Sequence, residues 1–132
     1  MAQILQFTEF YDHKANRSLR VLSHGRTSGW TCGSLNELRS DIRQVYLGYP
    51  EFVSTEWCVI NIPGLNNFSY HGDSGSTVID FEGKIIGLIH SGNGQPEHFS
   101  AEFTYVTPME WIIDDIKTTL RTDVIIEMNP DE

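Results

Sequence analysis

Short runs of β-branched and aromatic residues, each ended by a turn signal, recur along this chain, and this pattern constrains its fold most strongly. Residues 54–62 end at a Pro-Gly pair, and residues 77–81 meet residues 84–90 through a Glu-Gly turn. Glycines at regular intervals through residues 24–35 are typical of the bulges and sharp bends of barrel corners. The pattern predicts an all-β fold, a single six-stranded antiparallel β-barrel.

Other strands and loops follow from local composition. Residues 36–43 are charged and predict a loop or a helical turn, whereas residues 45–49 are apolar, end at a proline and predict a strand. Residues 91–97 predict a glycine-rich loop. Further strands are expected to begin at residue 19 and to occupy residues 101–106.

A C-terminal α-helix is predicted after the last strand. Thr107 is suited to cap it and Pro108 to occupy its first position, and apolar residues recur at helical spacing through residues 111–120. We therefore expect one domain: an N-terminal arm over residues 1–20, the barrel with its helix over residues 21–121, and an acidic tail over residues 122–132. Within the tail, residues 124–126 either pack or add an edge strand.

Charge and composition exclude several classes of function. The formal net charge of −9 argues against a nucleic-acid partner, because little here would neutralise a phosphate backbone. No apolar run is long enough to span a membrane, and the N-terminus lacks the pattern of a signal peptide. With only two cysteines, Cys32 and Cys58, we expect free thiols in a reducing, cytoplasmic compartment, with a single bridge as the alternative.

Ser74 is the candidate nucleophile. It lies in the stretch YHGDSGS, where Gly72 and Gly75 relax the backbone and leave room around the hydroxyl for a substrate. A serine on such a turn, directly before a buried strand, is suited to nucleophilic chemistry. The alternative interpretation is an ordinary loop between strands.

Four stretches carry a family resemblance: GRTSGWTCGSL at residues 25–35, HGDSGS at 71–76, IGLIHSG at 86–92 and YVTPMEWI at 105–112. In this order they resemble the C-terminal half of chymotrypsin-like (trypsin-like) serine proteases. The resemblance runs from about residue 21 to residue 120, which is most of the chain but only one of that family's two barrels.

The resemblance implies roles for individual residues. Ser74 matches the nucleophile, and the backbone amides of Gly72 and Ser74 match the oxyanion hole, which stabilises negative charge developing on the substrate. Asp73 matches the aspartate that orients the oxyanion loop. In activated trypsins this aspartate pairs with a freed N-terminus, and no such processed terminus is evident here, so we expect a different donor.

The substrate-binding residues follow in the same way. Phe68 matches the floor of the primary specificity pocket, where an aromatic ring disfavours cleavage after arginine or lysine. His90, Ser91 and Gly92 match the segment that pairs with the substrate backbone.

The general base and its orienting carboxylate have no counterpart in this resemblance, because in the family both come from the N-terminal barrel. About 20 residues precede the barrel here, and six strands of roughly 5–6 residues need several times that. His71, His90 and His13 are candidate substitutes, whereas His24 and His98 are expected at the surface. No metal site or cofactor is predicted, because the histidines and cysteines lack ligand spacing.

The leading expectation is therefore a trypsin-like half-domain, a pseudoenzyme that is weak or inactive alone and acts by binding a peptide or protein. One alternative is an active serine endopeptidase whose histidine and aspartate come from another chain or from a longer parent. Another is a peptide-binding module that adds a ligand strand to the edge at residues 90–92. The face left by the missing barrel is expected to bind the N-terminal arm, a second copy or a partner chain.

Overall fold

The computed structural model describes residues 3–4, 19–93 and 102–127. Within them the chain forms seven strands and one helix: β1 Leu19–Gly25, β2 Gly29–Leu35, β3 Ser40–Gln44, β4 Phe52–Asn61, β5 Thr77–Asp80, β6 Ile85–Gly92, β7 Phe103–Pro108 and α1 Met109–Leu120.

Six of these strands close into a barrel. They follow each other around it in the order β1-β5-β6-β7-β4-β2, and the pairing of β2 with β4 completes the circle. Every pairing between these strands is antiparallel. The predicted six-stranded antiparallel barrel with a C-terminal helix is confirmed.

The seventh strand, β3, lies outside the closed circle, and its one partner among the described strands is the first half of β4. The prediction of a loop or helical turn over residues 36–43 was wrong at this point. Along β3 the half-buried Ile42 and Gln44 alternate with the exposed Asp41 and Arg43, which is the period of a strand.

The predicted strand over residues 45–49 was also wrong. These residues form the turn between β3 and β4, where Tyr49 N–H bonds to Tyr46 O at 3.1 Å and Gly48 has a φ of 84°. The positive φ at Gly48 reverses the chain direction. The apolar side chains of this turn are therefore exposed rather than packed in a sheet.

Two boundaries differ from the predicted ones. Strand β6 extends through Gly92, so the predicted loop over residues 91–97 begins at least two residues later. Helix α1 begins at Met109 with Pro108 as its N-cap and without a side-chain cap, so the predicted cap by Thr107 was wrong. Thr107 instead remains in β7, opposite Leu88 of β6.

The barrel interior is one apolar cluster whose largest fully buried side chains are Trp57 and Phe68. A second cluster, formed by Ile85, Met109 and Ile113, joins α1 to β6.

Both ends of the described chain meet this second cluster. Val124 and Ile126 from the tail pack against it, as does Ile4, which forms a parallel bridge with Ile85. Residues 5–18 of the predicted arm and residues 128–132 of the predicted tail lie outside the described residues.

Cys32 and Cys58 are free thiols in this structure. Among the described residues, no helix combines the length and the apolar character needed to cross a lipid bilayer.

Candidate functional site

Ser74 lies on an exposed turn that is hydrogen bonded to strand β6. Gly75 N–H donates to Ile89 O at 2.7 Å, and Ile89 N–H donates back to Ser76 O at 2.9 Å. Ser74 Oγ lies 3.5 Å from the carbonyl oxygen of His90, at the outer limit of a hydrogen bond. The fold thus brings together Ser74 and His90, two of the residues singled out in the sequence.

Asp73 is completely buried, and its carboxylate accepts four hydrogen bonds. Oδ1 accepts the backbone N–H groups of Thr27 at 2.9 Å and Ser28 at 3.2 Å. Oδ2 accepts the hydroxyl of Ser28 at 2.7 Å and the N–H of Tyr70 at 2.8 Å. Three of these bonds come from the β1–β2 turn, so this turn supplies the donors that the sequence left unidentified.

These bonds determine the ionisation of Asp73. Burial alone would raise the pKa of its carboxyl, but the hydrogen bonds from the Ser28 hydroxyl and from the amides of Tyr70, Thr27 and Ser28 outweigh it and hold the pKa below the ordinary value of 3.8. The donors therefore favour the ionised form of the Asp73 carboxyl.

The same turn supports Gly72 from the other side. Thr27 Oγ1 donates to His71 O at 2.7 Å, and a Cβ added at Gly72 would overlap Thr27 Oγ1. Gly72 also has a φ of 101°, which side-chain-bearing residues rarely adopt. Both the conformation and the contact therefore require glycine at this position.

Neighbouring backbone amides of the turn differ in whether they donate a hydrogen bond. Asp73 N–H is bonded to Tyr70 O at 3.1 Å. In the described part of the chain, the amides of its neighbours Gly72 and Ser74 donate no hydrogen bond. These are the two amides that the resemblance assigned to the oxyanion hole.

We expect Gly72→Ala to destabilise the protein more than Gly83→Ala, which is its matched control. Gly83 has a φ of 84° but open space around it, so alanine there adds backbone strain alone. Alanine at position 72 must in addition displace the Thr27 side chain. We expect this displacement to lower the free energy of unfolding by about 1 kcal/mol or more beyond the backbone strain. Urea unfolding of both variants measures this difference, and equal losses would contradict the contact with Thr27.

Phe68 is fully buried in the barrel core. Its N–H donates to Asn61 Oδ1 at 2.9 Å, and its carbonyl accepts the Thr31 hydroxyl at 2.7 Å. A Cβ added at Gly33 would lie 2.8 Å from its ring. The ring is therefore enclosed by protein in this structure, and its role as the floor of a pocket stays a prediction.

The imidazole of His90 is engaged with residues other than Ser74. Its Nδ1 lies 3.4 Å from Glu56 Oε1, and its Nε2 lies 3.0 Å from the side-chain nitrogen of Gln44. His90 is the bulged residue of β6: Ile89 faces Val106 and Ser91 faces the adjacent Tyr105, so His90 has no partner of its own in β7. This cluster of His90, Glu56 and Gln44 was not found in the sequence, where the three residues are far apart.

The remaining histidines were also candidates. His71 is exposed and contributes its carbonyl to the turn, as described above. His24 is exposed and stacks edge-on with Trp30 at 4.9 Å. His13 and His98 lie outside the described residues. Within the described residues, Ser74 Oγ makes no hydrogen bond to an imidazole nitrogen.

The segment matched to substrate pairing has a strand on one side only. Ser91 and Gly92 pair with β7, whereas the pairing of β6 with β5 stops at Leu88, opposite Thr77, the first residue of β5. Because Asn93 N–H bonds to Phe103 O of β7, the alternation of an antiparallel strand directs the backbone groups of Gly92 away from β7. Over the described ranges, this edge of β6 is open.

The described histidine, cysteine, aspartate and glutamate side chains form no group of three or more that could hold a metal ion. A scan of protein-family models found no match to this chain, and a search of curated proteins found no significant relative.

Proposed function

We propose that this chain is a trypsin-like serine protease half-domain that retains the nucleophile Ser74 and its oxyanion loop but lacks the family's histidine and aspartate. Alone it is weak or inactive as a hydrolase and acts by binding a peptide or protein. The closed six-stranded antiparallel barrel, which is compatible with a half-barrel of that family, supports this proposal.

One observation carries the proposal: the Ser74 turn is held in place by Asp73, but within the described residues the Ser74 hydroxyl makes no hydrogen bond to an imidazole nitrogen. Four donors occupy the acceptor sites of the Asp73 carboxylate and fix the turn that carries Ser74. A serine hydroxyl without a general base is a poor nucleophile. In serine proteases, removal of a triad member leaves only about 10³–10⁴-fold catalysis over water.

A second candidate is an active endopeptidase completed by another chain or by a longer parent. The amides of Gly72 and Ser74 favour it, because they donate no hydrogen bond to the described residues and are available to stabilise an oxyanion once a base is supplied. In this case, the partner contributes both the histidine and its orienting carboxylate.

A third candidate is a module that binds an extended peptide by strand addition. The edge of β6 at Gly92, which is open among the described residues, favours it, since the outward backbone groups of Gly92 are available to pair with a ligand strand. Strand addition needs no chemistry at Ser74. Peptide binding by this mode should therefore survive the loss of the Ser74 hydroxyl, whereas cleavage by a completed protease should not.

Fluorescence anisotropy with a labelled, unstructured casein peptide tests the binding function. We expect binding that survives Ser74→Ala and is weakened by Gly92→Pro, which removes the outward amide and places a ring at the open edge. Circular dichroism of each variant checks folding. Absence of binding by the folded wild type, or binding that Gly92→Pro leaves unchanged, would contradict binding at this edge. Cleavage that appears only after a second polypeptide is added would favour the completed protease.

A further inference from the structure

We propose that strand β3 pairs antiparallel with β3 of a second copy of this chain, forming a two-fold symmetric dimer. In the strand order, β3 is bonded to β4 on one side, and no other strand of the described residues pairs with it. An edge of this kind presents a row of unpaired backbone groups that another strand can bond. This proposal goes beyond the function proposed above and does not depend on chemistry at Ser74.

The charges on β3 fit the register that pairs all five of its residues. When the two-fold axis passes through Ile42, Asp41 lies opposite Arg43 of the second copy, and symmetry makes this pair twice. A register centred on Asp41 would instead place two aspartates opposite each other, and one centred on Arg43 would oppose two arginines. Opposite charges across a strand pair stabilise it and like charges destabilise it, so the charges of β3 favour the register that pairs all five of its residues over these two alternatives.

Both charged groups are accessible for this pairing. Asp41 and Arg43 lie on the exposed face of β3. Asp41 Oδ1 accepts the Thr55 hydroxyl at 2.8 Å, which leaves its second oxygen available. Arg43 pairs with Glu51 at 2.6 Å, yet a guanidinium has five N–H donors and retains capacity for a second carboxylate.

The same register also brings apolar side chains together. Leu38 and Tyr46 flank the two ends of β3, so antiparallel pairing brings Tyr46 of one copy to the same end of the contact as Leu38 of the other. These side chains are 55% and 73% exposed in the single chain, although both are large and apolar. Their burial between copies would remove apolar surface from water and add to the strand pairing.

The overall charge of −9 on each copy opposes association at long range. At physiological ionic strength the Debye length is about 8 Å, so charges far from the contact are largely screened. The local pairs between Asp41 and Arg43 are closer than this and decide the geometry. The surface also lies beside the candidate site, because Gln44 at the end of β3 contacts His90.

Sedimentation equilibrium over a concentration series, with two charge reversals, tests the proposal. We expect wild type to dimerise, and Asp41→Arg and Arg43→Asp each to weaken dimerisation about tenfold or more, because each variant opposes like charges twice. An equimolar mixture of the two variants restores opposite charges at both positions, so we expect it to form a heterodimer with close to wild-type affinity. Asp123→Arg is the matched control for net charge and should leave dimerisation near that of wild type.

Circular dichroism establishes that each variant is folded, so a loss of dimerisation is assigned to the interface. A wild type that stays monomeric at every concentration would overturn the proposal. A dimer that neither reversal weakens would also overturn it and would point to another face, such as the one expected to be left by a missing barrel. Failure of the mixed variants to associate would rule out the register centred on Ile42.

Discussion

Asp73→Ala is expected to lower the free energy of unfolding by about 3–5 kcal/mol, because it leaves buried donors without an acceptor. The carboxylate takes up the N–H groups of Thr27, Ser28 and Tyr70 together with one hydroxyl. Urea unfolding followed by tryptophan fluorescence measures the loss. Asp114→Ala is the control: Asp114 is exposed on α1, and a change there is expected to stay within about 0.5 kcal/mol. Similar losses in the two variants would contradict the role of Asp73 in holding the turn.

The contribution of Asp73 should also depend on pH. Its pKa is lowered in the folded state by the hydrogen bonds that outweigh its burial, so its stabilisation is fully present above the ordinary value of 3.8 and is lost as the pH falls through the folded value. We therefore expect the difference in stability between wild type and Asp73→Asn to narrow when the protein is acidified below that ordinary value. A difference that stays constant from neutral to acidic pH would contradict the lowered pKa.

Phe68→Ala is expected to lower the free energy of unfolding by about 3–5 kcal/mol, because it empties the centre of a packed barrel. Phe68 has no exposed surface and belongs to the same cluster as Trp57. The matched control is Phe81→Ala, since that ring is 64% exposed at the β5–β6 turn and should contribute little. Thermal or urea unfolding of the two variants makes the comparison.

This substitution also separates two roles for Phe68. A residue that forms the floor of an open pocket would be truncated with little loss of stability, and the enlarged pocket would change the choice of ligand. A loss as small as that of Phe81→Ala would therefore favour the pocket and contradict the enclosed ring.

The barrel was predictable because its strands carry their own local signals. The turns that join β5 to β6 and end β4 are marked by glycine and proline, and the apolar runs between them match strands found in the structure. Strand β3 lacked such a signal, because only Ile42 among its five residues is apolar. The apolar run at residues 45–49 gave a strand signal although it forms a turn. Its glycine, Gly48, reverses the chain, and its apolar side chains remain exposed.

The candidate site was predictable only where its residues are close in sequence. The resemblance singled out Gly72, Asp73 and Ser74 together, and the structure places the carbonyl of His90 beside them. The donors from Thr27 and Ser28 were not predicted, because a separation of 45 or more residues leaves no periodic trace. Their only signal was a pair of hydroxyl residues next to a glycine in a stretch that the resemblance also covers.

Labelling with a fluorophosphonate at about pH 7–8, where an unperturbed histidine is largely a neutral base, is the most direct test of the central claim. The claim is that the Ser74 turn is formed but that no base activates its hydroxyl. It predicts that the folded wild type labels as slowly as Ser74→Ala, with circular dichroism establishing that both are folded. Rapid labelling of the wild type that is lost in Ser74→Ala would contradict the claim, because it would require a general base within this chain.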